Sequence, residues 1–264
     1  MRTELLIIDP QNDFCDPKGS LYVQGAKEDA TRLGVLIDKY KREWYDIHMT
    51  MDSHHTVDVG HPWMWRDGKG NMPAPFTPIP AVDIENGVWV PFNPSYTKRM
   101  IEYARQLEVN DRYMLMVWPE HCVIGSWGYG IVAPIMEAVQ KWEREEGAVA
   151  DKVTKGSNIW TEHYSAVQAD VPDPSDPSTQ LNTRLIQTLQ EADRIIVAGW
   201  ASSHCLAFTI KDIADNFGEE NIKKITLLID CTSPVTGFEK EAERFISEMQ
   251  TRGMQIAESV NVRL

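Results

Sequence analysis

Three of the chain's seven histidines sit within "MTMDSHHTVDVGH", residues 49 to 61, close behind Asp52. Asp52 and His54, one residue apart, would project the same way from an extended strand. His121, in "WPEHC", could complete a three-ligand set of nitrogen and oxygen donors. A set of that kind leaves coordination positions for water or substrate, which suits a catalytic metal better than a structural one. His61 and His55 are further candidates, and spacing does not choose between them.

Cys205 is the second centre of possible chemistry. "VAGWASSHCLAFTIKDIADNF" reads as strand, small-residue turn and helix, which puts the sulfur in the first helical turn. There the positive end of the helix dipole and unpaired N–H groups are expected to favour a thiolate. N–H groups of the same turn, Ala201 to Cys205, could hold an oxyanion if that sulfur attacked a carbonyl. Attack on an amide also needs a proton acceptor and a nearby cation, and Asp9 and Lys155 are placed for those roles. His204 is the rival base, but adjacent helical positions point in different directions.

Each residue alone has a plainer explanation. Aspartates cap turns, single histidines are structural, and cysteines in an α/β core are small buried hydrophobes, a description that suits Cys231, Cys122 and Cys15. The coincidence of placement weighs against those readings. Short apolar runs recur at 4 to 9, 46 to 52, 112 to 118, 148 to 155, 194 to 200 and 224 to 230. Helical spacing falls at 27 to 43, 96 to 108, 131 to 145, 180 to 191, 205 to 217 and 239 to 252. Alternation of this kind predicts a three-layer α/β/α fold with a mainly parallel, doubly wound central sheet, and "MQIAES" is a further candidate strand. Asp9, Asp52, His54, His121, Lys155 and Cys205 then all fall at the carboxyl ends of strands, on the edge where such sheets bind ligands.

Residues 62 to 95, with seven prolines and almost no periodicity, read as a long excursion from a single domain spanning 1 to 264. A net charge of -13 argues against nucleic-acid partners, and no basic cluster offsets it. The N-terminal apolar run is only four residues long, too short for a signal core or a membrane span, so a cytoplasmic protein is expected. Four widely spaced cysteines with no CxxC pair fit no disulfide framework.

The segments "LLIIDPQNDFCDPKGSLYVQGA", "MDSHHTVDVGH", "WPEHCVIGSWG", "TKGSNIWTEHYSA" and "GWASSHCLAFTIKDIA" resemble those of the nicotinamidases among the isochorismatase-like cysteine hydrolases. The resemblance implies a catalytic aspartate, lysine and cysteine at Asp9, Lys155 and Cys205. It implies a divalent metal on Asp52, His54 and His121, with His61 the equivalent of an additional histidine in some members. The metal would be zinc, with iron and manganese as alternatives. It also implies aromatics near Phe14, Trp118 and Tyr164 sandwiching a flat heteroaromatic amide, a homo-oligomer, and a role in NAD salvage. Two departures bear on the pocket. Ser203 stands where the family's A-T-D-x-C often has an acid, and "IGSWGYG" follows WPEHC in place of the commoner G-T-x-G-A.

The expected function is metal-assisted hydrolysis of nicotinamide to nicotinate and ammonia through a thioester. The nearest alternative keeps the chemistry and changes the substrate to another small carboxamide, ureido or carbamoyl compound. An alternative of a different class is a non-catalytic relative that binds a metabolite.

Overall fold

The computed structural model describes residues 1–109 and 113–264. Strand β1 (Thr3–Ile8) is buried along its whole length, as a run of Leu and Ile must be when helices cover both faces of a parallel sheet. Helix α1 (Ala26–Lys39) follows, then β2 (Trp44–Asp52) and, after the excursion, α2 (Thr97–Val109). Next come α3 (Ala133–Glu146), β3 (Asp151–Lys155), α4 (Thr183–Gln190), β4 (Arg194–Gly199), α5 (Cys205–Phe217), β5 (Ile225–Leu228), α6 (Glu239–Thr251) and β6 (Gln255–Ala257).

All six strands form one parallel sheet in the order β6-β5-β4-β1-β2-β3. Helices α1 and α3 pack together, and α5 packs against α4 and α6, giving the expected three layers. The strand order reverses between β1 and β4, so the chain leaves the sheet in opposite directions there and opens a crevice beyond the strand ends. At Gly199 the backbone has φ +117°, and a Cβ would lie 2.2 Å from the Ile8 carbonyl oxygen. Only glycine lets β4 end this close to β1.

The described part of the run at 112 to 118 supplies no strand of the central sheet. Arg112 lies outside the described residues, and only Met116–Val117 is extended, paired antiparallel with Thr77–Pro78. The physical reason is a competing core. Leu115 and Val117 bury in a second apolar cluster with Ile79, Met100, Tyr103 and Leu107, beneath the excursion rather than against the central sheet. The excursion itself contributes Trp65, whose indole donates to the Val59 carbonyl, and the short helix Ala81–Glu85. Among the described residues no helix is long and apolar enough to cross a membrane.

Candidate active site

The first motif does more than supply Asp9. Asp9 follows β1 with φ +45°, a left-handed turn that aspartate tolerates better than most residues, and its N–H donates to Thr50 Oγ1. Two residues on, the Gln11 side chain pairs with the main chain of Asp52, donating to its carbonyl and accepting from its N–H, each at 2.7 Å. Asp13 accepts from the Cys122 N–H at 2.7 Å and from the Ser20 N–H at 3.0 Å. Gly128 is packed so closely on Asp13 that a Cβ would lie 1.9 Å from the carboxylate. "DPQND" thus pins the end of β2 and the WPEHC loop to the end of β1.

Across this clasp the reactive groups meet. Lys155 Nζ lies 3.0 Å from Asp9 Oδ2, 3.0 Å from Asp52 Oδ1 and 3.6 Å from Cys205 Sγ. Strand β2 separates β1 from β3, yet the long lysine side chain reaches past it to Asp9. All four residues are almost wholly buried. Burial opposes the ammonium, but Asp52 and Asp9 outweigh it and hold Lys155 well above its usual range. Burial lifts the Asp9 carboxyl, and Lys155 limits the rise. Burial alone would also lift Asp52, but His54 and Lys155 hold it well below the usual carboxylate range.

Cys205 corrects the expectation of a resting thiolate. Burial pushes its thiol well above the ordinary value, and Asp9 and Asp52 add to the rise, which the Lys155 ammonium opposes without reversing. A helix start favours an anion only where little desolvation opposes it. Asp9 Oδ2 accepts no hydrogen bond among the described residues besides its ion pair with Lys155. Within the turn, the His204 and Leu206 N–H groups both donate to the Ala201 carbonyl, while the Ala201 and Cys205 N–H groups donate to no acceptor among the described residues. Both residues line the cavity.

The histidines converge beside this group. His54, His61 and His121 are buried, with ring centroids 4.8 to 5.1 Å apart. Each is held through Nδ1: His54 against Asp58 Oδ2 at 3.1 Å, His61 against the His55 carbonyl at 3.0 Å, and His121 against the Pro119 carbonyl at 2.8 Å. Asp52 Oδ2 lies 3.1 Å from His54 Nε2 and 3.5 Å from His121 Nε2. His61 Nε2 turns toward His121 instead, 3.3 Å from its Nδ1. Three buried imidazoles tied by outer acceptors, next to an ionised carboxylate, are a donor set that fits a divalent ion. His55 is exposed and reaches the cluster only through its carbonyl, so of the two only His61 has its ring in the cluster.

Phe14, Trp118 and Tyr164 all line the cavity over Cys205 and Asp52. Phe14 meets His121 edge-on at 5.5 Å, and the Trp118 indole donates to the Tyr164 hydroxyl at 3.1 Å. Three polar wall residues went unread in the sequence, namely Glu162, His163 and, as a pocket group, His204. Burial lifts the Glu162 carboxyl to about 8 and lowers the His163 and His204 imidazoles to about 3 each. The Gly156 N–H donates to His163 Nδ1 at 3.1 Å, so the ring hydrogen of neutral His163 is on Nε2. Glu162 and His163 immediately precede Tyr164, and their position seven and eight residues after Lys155 was the available signal.

No protein-family model matches the chain. The nicotinamidase of Saccharomyces cerevisiae is 23% identical over 256 residues, covering 96% of this chain and 98% of that protein. The fold is similar to the crystal structure of yeast nicotinamidase bound to the inhibitor nicotinaldehyde, with a TM-score of 0.67 and 20% identity over 97% of this chain and 99% of that one. An Acinetobacter baumanii nicotinamidase/pyrazinamidase gives a TM-score of 0.65 at 18% identity, covering 98% and 97% of the two chains. The Pyrococcus horikoshii pyrazinamidase in complex with zinc gives 0.58 at 19% identity, covering 98% and 99%. In sequence the chain is thus similar to the yeast nicotinamidase over nearly its whole length, and in fold to solved nicotinamidases and pyrazinamidases.

Proposed function

We propose that the protein hydrolyses nicotinamide to nicotinate and ammonia, with Cys205 as nucleophile, Asp9 as proton carrier and Lys155 as the cation that holds the two together. The observation that carries this reading is the single ammonium of Lys155 within 3.6 Å of Asp9, Asp52 and Cys205, beside two N–H groups that donate to no acceptor among the described residues.

The steps follow from the protonation states. With the resting sulfur a thiol, attack on the carboxamide carbon is coupled to loss of its proton to Asp9, whose raised basicity suits that task. The new oxyanion is held by the Ala201 and Cys205 N–H groups. Asp9 passes the proton to the departing nitrogen, the C–N bond breaks, and ammonia leaves a thioester on Cys205. A water molecule, giving its proton to Asp9, then cleaves the thioester and restores the thiol as nicotinate departs. Lys155 keeps negative charge on Asp9 tolerable in a buried site throughout.

His54, His61 and His121, with Asp52, would hold a divalent metal, for which zinc is the expected ion. Such an ion supplies a Lewis-acidic point that can bind a ring nitrogen or a water. Phe14, Trp118 and Tyr164 provide the apolar walls for a flat ring. The whole chain, 1 to 264, then serves as one hydrolase domain, its excursion meeting the wall of the site where the Phe76 ring stands edge-on to Trp118 at 5.8 Å.

Ammonia release measured across a panel of small amides tests the assignment. Nicotinamide turning over faster than ureido and carbamoyl compounds supports it; another amide outpacing nicotinamide transfers the same chemistry to that substrate.

A further inference from the structure

We infer that Ser203 fixes the tautomer of His204 so that its Nε2–H faces the substrate, making His204 a donor that selects for an acceptor atom on a small planar amide. The inference rests on the small-amide reading above and adds a specificity element to the same cavity.

His204 is 3% exposed, lines the cavity beside Cys205, and is walled by the rings of Tyr113, Trp118, Tyr164 and Phe238 at centroid distances of 4.7 to 5.5 Å. Its Nδ1 lies 2.8 Å from Ser203 Oγ, and its Nε2 is buried with no hydrogen-bond partner among the described residues. Ser203 Oγ already accepts from the Val235 N–H at 3.0 Å. A serine hydroxyl has one hydrogen to give. If Nδ1 carried the ring hydrogen, Ser203 would accept twice and its own hydrogen would find no acceptor among the described residues. If the hydroxyl donates to Nδ1, Val235, Ser203 and Nδ1 are all satisfied and the ring hydrogen sits on Nε2. The first arrangement strands two groups among the described residues, the Ser203 hydrogen and the Nε2 lone pair, and the second only the Nε2 hydrogen, so the second prevails.

The consequence is a neutral N–H donor inside an aromatic wall, with no acceptor among the described residues. A flat amide with an acceptor at its edge would satisfy it, whereas a ligand of the same shape without one would leave it stranded. Position 203 decides the polarity of this contact. An aspartate there would take a hydrogen from Nδ1 and leave Nε2 a bare acceptor, inverting the preference.

Protein labelled with ¹⁵N-histidine tests this by long-range ¹H–¹⁵N correlation of the ring nitrogens. The wild type should show His204 protonated at Nε2, and Ser203→Asp should move the hydrogen to Nδ1. In parallel, Ser203→Asp and His204→Phe should raise KM for nicotinamide about three- to tenfold, the size of one neutral hydrogen bond, with kcat changing less. His204→Gln, which keeps an N–H donor, should recover part of the loss. If the buried aspartate prevents folding, Ser203→Ala removes the donor to Nδ1 and should give mixed tautomers with a smaller rise in KM. A wild-type ring protonated at Nδ1, or a KM indifferent to all these changes, overturns the inference. If the wild type does not hydrolyse nicotinamide at all, the functional reading fails, while the ring spectrum still decides the tautomer.

Discussion

The Lys155 ammonium stands 3.6 Å from the Cys205 sulfur, yet the balance of burial and carboxylates keeps that sulfur a thiol. The same ammonium is shared with Asp9 and Asp52, so its field is largely answered before it reaches the sulfur. In the proposed reaction the anion therefore forms during the attack rather than before it. That reaction makes Asp9, not the helix start, the residue on which reactivity would depend.

The thiol state has a direct pH signature. Because the folded pKa lies above that of a free cysteine, the thiolate fraction at neutral pH is smaller than in a free thiol and grows only as pH rises past about 9. Iodoacetamide should label resting Cys205 more slowly than free cysteine at pH 7 and faster as pH increases, and Lys155→Met should slow it further. Labelling at pH 7 that outruns free cysteine contradicts this state.

Asp9→Asn removes the proton carrier and leaves the fold's main-chain bond from Asp9 to Thr50 in place. Steady-state ammonia release should fall by about 10²- to 10⁴-fold in kcat/KM, the usual contribution of a positioned base. A loss of less than about tenfold would assign the proton to another group.

The metal set is tested by elemental analysis of purified protein. His61→Ala should lose the bound ion, while His55→Ala, altering an exposed ring outside the cluster, should keep it. Asp58→Ala, which frees His54 Nδ1, should weaken metal affinity by roughly 10- to 100-fold, as loss of an outer partner does.

Glu162 gives a stability prediction. Its carboxyl is raised to about 8, so between its unfolded value and that point the unfolded chain is ionised while the folded chain stays protonated. Stability from this group is thus intact below about pH 4.5 and declines as pH rises to about 8. In metal-free protein, Glu162→Gln should therefore gain in urea midpoint relative to wild type from pH 5 to pH 8. A gain that shrinks with rising pH would contradict the shift.

Much of this architecture was legible because parallel strands buried on both faces write continuous apolar runs, as in "ELLII" and "RIIVAG". Strand ends could then be aligned, and Asp9, Asp52, Lys155 and Cys205 fell together. The run at 112 to 118 misled because hydrophobicity records burial and not the partner, and Leu115 and Val117 bury beneath the excursion. His61 could not be separated from His55 because its place depends on the turn at Asp58 to Gly60, a matter of backbone path rather than spacing. Gln11 and Asp13 act by holding main chain of distant segments, contacts that leave no periodic trace. The thiol's protonation was hidden for a different reason: it follows from depth and from two carboxylates at once.

Everything in the proposed reaction turns on a bond between the carboxamide carbon and the Cys205 sulfur, which mass spectrometry can detect after rapid acid quench of enzyme turning over nicotinamide. A nicotinoyl adduct should appear on the peptide carrying Cys205 and be absent from Cys205→Ala. Ammonia release at full rate from Cys205→Ala, with no adduct on any residue, would contradict that chemistry.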